Sequence, residues 1–325
     1  MFALATVSSA GSPPFVAIVI GERALSLASI YPQYRRARGE KARRLTNPES
    51  LLGLLQDWDG NFDALNDVAD FAGRERFKDG EGRFADLRKL PPVLRPGKML
   101  YAAQNYKEHV KEMQAAKFAS ASKDFSGEKD NAKPYLFLRA PSTLIGANDD
   151  IVLPAMFDKV DWEVEMAVAI GRPGKHISAS QAKKHIAGFM TTNDVSCRSL
   201  FLREDRPGLR SDWLGGKNHD GFAPMGPLFV PRDFVPNYMN LRLTLSVNGE
   251  VMQDGKTGEM IFSPEEQIEY CSQMMTLEPG DVFATGTPSG VGTAKGKFLK
   301  VGDVVEAEIE GLGRLHNRVV AEAAR

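Results

Sequence analysis

The sequence predicts an α+β, β-rich protein with a small α/β domain at its N-terminus, and three observations lead there. From Tyr135 onward, short β-type runs recur between Gly, Pro and Asn-Asp punctuation: LFLRAPSTLIG, IVLP, EVEMAVAIG, LRLTLSVNGE, DVFATGTPSGVG and VVEAEIEGLG. Only SASQAKKHIAG and SPEEQIEYCSQMM read as helices in that region, which excludes a doubly wound α/β sheet. The three-proline run LRKLPPVLRPGKML reads as a linker delivering an extended strand, so residues 1–95 form the small domain and residues 96–325 the large one.

Each element has a local cause. Residues 14–31, PFVAIVIGERALSLASIY, read as a hairpin, two β-rich runs joined by Gly-Glu-Arg. A basic stretch, YRRARGEKARR, follows, then an amphipathic helix ESLLGLLQDW behind the caps Thr46 and Asn47, and a helical segment from Phe62 to Phe71. YAAQNYKEHVKEM is a loop entering a short helix. The polar, Lys- and Ser-rich stretch after it, Lys117 to Lys133, reads as a mobile loop that orders when substrate closes the site. The two later helices each open with a serine at the N-cap position. No internal repeat is present.

With 325 residues, 42% hydrophobic and 26% charged, and a formal net charge of -1, the composition is that of an ordinary globular protein. Near-neutral charge without a basic stripe argues against nucleic-acid or anionic-membrane binding. Two cysteines, Cys197 and Cys271, are too few for a disulfide framework. No apolar run approaches the roughly 20 residues of a membrane span. MFALATVSSAGSPPF has no basic region ahead of its apolar patch, so a cytoplasmic protein is expected.

Four constellations bear on chemistry. In DWEVEMAVAIG the period of two places Asp161, Glu163 and Glu165 on one face of a strand, with no base between them. Like charges side by side repel, so either the face is a solvated edge or a cation sits over it. A hard divalent cation such as Mg²⁺ takes a few carboxylates and fills its shell with waters, and Asp194 in GFMTTNDVSCR can join Glu163 and Glu165 from a neighbouring strand. By itself Asn193-Asp194 also reads as an Asx turn. In NYKEHVKEM, His109 and Glu112 share a helix face; the pair is either a surface contact or a base whose tautomer the carboxylate sets. In WLGGKNHDGFAPMGP, Lys217 follows two glycines and reads either as a solvated loop lysine or as the partner of a substrate carboxylate or enolate. TGTPSGVG, Thr285 to Gly292, is a shaped loop offering N–H groups and hydroxyls to an anion, without the ending of a phosphate-binding loop. The other four histidines have no comparable partner.

The order of these motifs, with VNGEVMQ, MIF, LEPGDVFATGTPSGVG and GDVVEAEIEGLGRLHN, resembles the fumarylacetoacetate hydrolase family over roughly residues 98–320. That resemblance implies a mixed β-roll core, a homodimer and a Mg²⁺ or Mn²⁺ site in each subunit. By position the metal carboxylates would be Glu163, Glu165 and Asp194, with Asp161 either supporting them from just outside the ligand set or simply ending the strand. His109 and Glu112 match the water-activating pair, Lys217 the active-site lysine, Thr287 the threonine of the TGTP loop, and Arg198 an arginine turned towards substrate. Phe201 stands where many relatives place a substrate-contacting glutamine, which implies a more apolar pocket wall. Tyr101-Ala102-Ala103 supplies no fourth carboxylate. The resemblance implies a hydrolase that cleaves a C–C bond of a 2,4-dioxo acid, an acylpyruvate or a fumarylacetoacetate-like substrate. A 2-oxo acid hydratase, isomerase or decarboxylase on the same site is the alternative, and a non-catalytic binding protein the remote one.

Overall fold

ALATVS near the N-terminus forms the strand Ala3–Ser8, to which the sequence analysis assigned no structure, and that strand carries the small region into the large one. In the computed structural model the described residues are 1–9, 11–74, 80–116, 125–129, 132–155, 157–203, 205–206, 209 and 211–323. Most of the expected mobile loop, residues 117–124, 130 and 131, lies outside them. Strand Ala3–Ser8 pairs antiparallel with Phe15–Ile20 on one side and with Ala223–Pro231 on the other, Leu4 opposite Phe229. One sheet therefore crosses the expected division near residue 95. Its order continues from Ala223–Pro231 through Ile186–Asn193, Val164–Ile170, Val282–Ala284 and Met99–Ala103 to Tyr135–Arg139. Val282–Ala284 runs parallel to Met99–Ala103, which makes the sheet mixed. A second sheet orders Glu250–Lys256, Arg242–Val247, Val304–Ile309, Gly313–Ala321 and Ile151–Leu153.

The apolar run of Val164–Ile170 follows from burial on both faces. Val164, Met166, Val168 and Ile170 join a core with Leu243, Leu245, Val305 and Leu315 of the second sheet. Ala167 and Ala169 face the other way, into a core with Leu54, Trp58 and Leu65 of the N-terminal helices. A strand covered on both sides loses its polar alternation, and small alanines leave room for those helices.

Three local expectations need correction. The second hairpin strand ends at Ser26, and Leu27–Arg38 is a helix. Leu27, Ile30 and Tyr34 bury at helical spacing, a stripe hidden in β-rich composition. The next helix starts at Leu51, capped by Ser50, which accepts from the Gly53 amide at 3.0 Å. Thr46 and Asn47 instead bind side chains of that region: the Thr46 amide donates to Asn61 at 2.7 Å and the Asn47 side chain to Gln56 at 2.8 Å. SASQAKKHIAG is helical only over Ala179–Ala182, a 3₁₀ turn takes Lys183–His185, and Ile186 already begins the central strand. SPEEQIEYCSQMM is a helix, Pro264–Met274, behind a reciprocal Ser263–Glu266 capping box. Among the described residues no helix is long and apolar enough to cross a membrane.

Leu4 is fully buried where the two regions meet. Leu4→Ala is expected to cost about 2–5 kcal/mol. Because the sheet is continuous, denaturant should still unfold the variant in one transition. Separate transitions for the two regions would show that the shared sheet does not couple them.

Candidate active site

The site lies at one edge of the central sheet, where four strands end together. Val164 stands opposite Asn193, Ala167 opposite Ala284, and Ala284 opposite Tyr101. Those registers bring Glu163 and Glu165, Asp194, the Thr285–Thr287 segment and the approach to helix Lys107–Ala115 to the same edge. The Asp161–Glu165 stretch is not one strand, because pairing stops after Asp161 and resumes at Val164. At the break the Asn193 side chain accepts from the Glu163 amide at 2.9 Å, and the Gln253 side chain accepts from the Val164 amide at 3.0 Å. These contacts satisfy backbone groups that lack a ladder partner and let Glu163 converge with Glu165.

Glu163, Glu165 and Asp194 each offer an oxygen within 4.8 Å of the others, and all three are buried. Asp161 is not in this cluster. Lys217 donates to Glu163 Oε2 at 2.9 Å and also to Asp194. Arg198 donates to Glu163, and through Nε to Asp161 Oδ2 at 2.8 Å. Burial opposes ionisation of Glu163, yet Lys217, Arg198 and His109 outweigh it and hold its carboxyl down to about 2. Glu165 goes the other way: burial, then Asp194 and Glu163, push it well above the usual carboxylate range. One of its oxygens accepts from the Gly286 amide at 2.8 Å, while Oε1 is buried with no hydrogen-bond partner. A buried carboxylate oxygen left unpaired among two other acids fits a hard cation, so these three residues can hold a divalent metal ion.

His109 is 5% exposed on its helix, and its Nδ1 lies 2.8 Å from Glu112 Oε1, so the pair is not a surface contact. Glu112 is held in turn by the Gly290 amide, at 2.8 and 3.1 Å. Three N–H groups of the TGTPSGVG loop thus go to the protein's own carboxylates. Gly286 serves Glu165, Gly290 serves Glu112, and Gly292 donates to Asp161 at 2.6 Å. Those three amides are therefore not offered to a bound anion, while Thr287 of the same loop lines the cleft. Gly290 has φ 107°, and a Cβ there would stand 2.1 Å from the Met252 carbonyl, so only glycine brings this amide to Glu112.

A small cleft is lined by His109, Glu163, Arg198, Lys217 and Thr287, with Phe137 and Trp213 as apolar walls. Thr287 donates to the Val164 carbonyl at 2.8 Å and accepts from Gln253 at 2.8 Å. Phe201 is not among the lining residues. It is buried edge-on to Trp213 at 5.0 Å, and a Cβ on Gly216 would sit 2.4 Å from its ring. The apolar wall expected of Phe201 therefore comes from Trp213 and Phe137, with Phe201 packed behind Trp213.

Arg139, not singled out in the sequence analysis, is buried here. It donates to Asp194 and to the Lys217 carbonyl and lies over the Tyr101 ring at 5.2 Å. An arginine on the inward face of YLFLR, two residues after buried Phe137, was the available signal. Gln253 and Asn105 stood inside the motifs VNGEVMQ and NYKEHVKEM without being singled out. Asn105 ties the Phe262 and Thr285 carbonyls at 2.9 and 2.7 Å from the loop ahead of helix Lys107–Ala115.

The family described as fumarylacetoacetate (FAA) hydrolase C-terminal matches residues 98–320, which contain every one of these residues. The chain belongs to the fumarylacetoacetate hydrolase family. It is 42% identical over 238 residues to human mitochondrial oxaloacetate tautomerase FAHD2A, covering 73% of this chain and 70% of that protein. Among solved structures it resembles fumarylacetoacetate hydrolase from Exiguobacterium antarcticum, with TM-score 0.73 and 28% identity over 99% of this chain and 100% of that one. It also resembles 2-hydroxyhepta-2,4-diene-1,7-dioate isomerase from Mycobacterium marinum, with TM-score 0.69 and 29% identity over the whole of both chains. Family membership makes it an enzyme of a group holding both hydrolases and isomerases.

Proposed function

We propose that this enzyme moves a proton at the carbon beside the keto group of a small 2-oxo acid, interconverting keto and enol forms of an oxaloacetate-like dicarboxylate. The observation that carries the reading is the placement of His109, held by Glu112, in the cleft that Glu163, Lys217 and Arg198 also line. The name of the 42% identical tautomerase relative points the same way.

Glu163, Glu165 and Asp194 would hold Mg²⁺ or Mn²⁺, which when bound supplies Lewis-acid polarisation of the keto oxygen. Glu112 fixes the His109 ring through Nδ1, leaving Nε2 to take the α-proton. As that C–H bond breaks, its electron pair forms the C=C bond and the carbonyl π pair moves to the keto oxygen, where the Lys217 ammonium stabilises the charge. His109 then returns the proton to that oxygen. Arg198 pairs with a substrate carboxylate, and Phe137 and Trp213 keep water from the enolate.

C–C hydrolysis of a 2,4-dioxo acid is the second reading, favoured by the same pair, since a histidine held by Glu112 apart from the carboxylate triad can also activate water. Decarboxylation shares the enolate and needs no attacking water. The deciding assay follows decay of the oxaloacetate enol band with Mg²⁺, alongside a panel of acylpyruvates with products identified. Accelerated enol decay with acylpyruvates left intact is expected. Cleaved acylpyruvates with an unaccelerated enol band would replace tautomerisation by hydrolysis.

A further inference from the structure

We propose that Asp161 is a positioning residue that sets the grip of Arg198 and the seat of Glu112 together. The proposal rests on the reading above, in which Arg198 binds a substrate carboxylate and His109–Glu112 carries the proton. Asp161 is fully buried and outside the carboxylate triad. Its Oδ1 accepts from the Trp162 and Gly292 amides at 2.8 and 2.6 Å. Its Oδ2 accepts from the Thr293 amide at 3.0 Å, the Thr293 hydroxyl at 2.9 Å and Arg198 Nε at 2.8 Å. On one side, then, the carboxylate aims the arginine that lines the cleft. On the other it anchors the loop two residues after Gly290, whose amide holds Glu112. The packing leaves no slack, because a Cβ on Gly292 would meet Asp161 Oδ1 at 2.7 Å and the Lys297 carbonyl at 2.1 Å.

Only a carboxylate satisfies this arrangement, since both oxygens face nothing but donors. An asparagine fills the same volume but must turn its amide NH₂ either towards Arg198 and Thr293 or towards Gly292. Donor then meets donor on one side, and that side lets go. Because Asp161 touches neither the cleft nor the triad, its removal should alter catalysis only through its two partners.

The test measures oxalate binding with Mg²⁺ present, Mg²⁺ binding alone, KM and kcat for wild type, Asp161→Asn, Arg198→Ala and the double variant. Asp161→Asn is expected to weaken oxalate about tenfold, the worth of one hydrogen bond to a charged group. It should raise KM, lower kcat and leave Mg²⁺ affinity unchanged. In the Arg198→Ala background the oxalate effect of Asp161→Asn should vanish, as coupling between partners requires. Thr293→Val, which deletes one bond to Oδ2, should weaken oxalate in the same direction and covers the case in which Asp161→Asn does not fold. Additive losses in the double variant, or an Asp161→Asn protein that only melts earlier while binding oxalate normally, would overturn the proposal. Wild-type protein that binds oxalate with this coupling but turns over no 2-oxo acid would instead overturn the reading of the reaction and leave the role of Asp161 standing.

Discussion

Glu165→Gln is expected to deprive the site of its divalent cation and to abolish turnover while leaving the fold intact. Glu165 is the acid with an unpaired buried oxygen, and Asp194 and Glu163 crowd it. A carboxyl whose folded pKa lies above its unfolded value weakens the fold as pH rises from the ordinary carboxylate range through the folded value. Cation-free protein at neutral pH carries that cost, and glutamine does not. Glutamine also keeps an acceptor for the Gly286 amide. The cation-free variant should therefore melt no lower than cation-free wild type. Mg²⁺ should raise the wild-type melting temperature, as any ligand of the native state does, and leave that of the variant unmoved. Loss of a partner outside the ligand shell typically costs about 10–100-fold in metal affinity, and loss of a ligand should exceed that. Calorimetric titration with Mg²⁺ or Mn²⁺ reads the effect directly. A variant with an undiminished Mg²⁺ shift and turnover would remove these carboxylates from any metal role.

His109→Ala attacks the other half of the site. General acid–base catalysis by a positioned side chain contributes about 10²–10⁴-fold, and turnover should fall by that factor. Mg²⁺ affinity should barely change, because His109 is not one of the clustered acids. Glu112→Gln should lose less, since it leaves the imidazole in place and removes only the charge that orients it. The variant also separates the two chemistries. If His109 takes the α-proton, exchange of α-protons with solvent should collapse along with enol decay. If it serves only to activate water, exchange should survive at least in part while acylpyruvate cleavage is lost, and decarboxylation should be spared more than hydrolysis. Full activity for every substrate would reduce the His109–Glu112 pair to a structural contact.

How much of this was legible beforehand depended on the range over which a pattern is written. Alternation in DWEVEMAVAIG gathered Glu163 and Glu165, and the spacing of His109 and Glu112 put them on one helix face, because strand and helix periods act within a few residues. The order of such motifs along residues 98–320 was enough to point to the family. The same local rules misread LASIY as strand, since Leu27, Ile30 and Tyr34 show their helical stripe only once a core exists to receive it.

The sequence by itself determined the strand-rich α+β class and, through the family resemblance, singled out Glu163, Glu165, Asp194, His109, Glu112 and Lys217. Only the tertiary structure decided which partner each of these groups meets. Arg139 reaches Asp194 across 55 residues, Gln253 reaches Val164 across 89, and the Gly290 amide reaches Glu112 across 178. It also decided that Ala3–Ser8 completes the sheet beside Ala223–Pro231, and that Phe201 stands behind the wall it was expected to form. Periodicity encodes which face a side chain takes on its own element. The partner across a sheet edge is chosen by register and close packing summed over the whole core, and no short stretch of residues carries that sum.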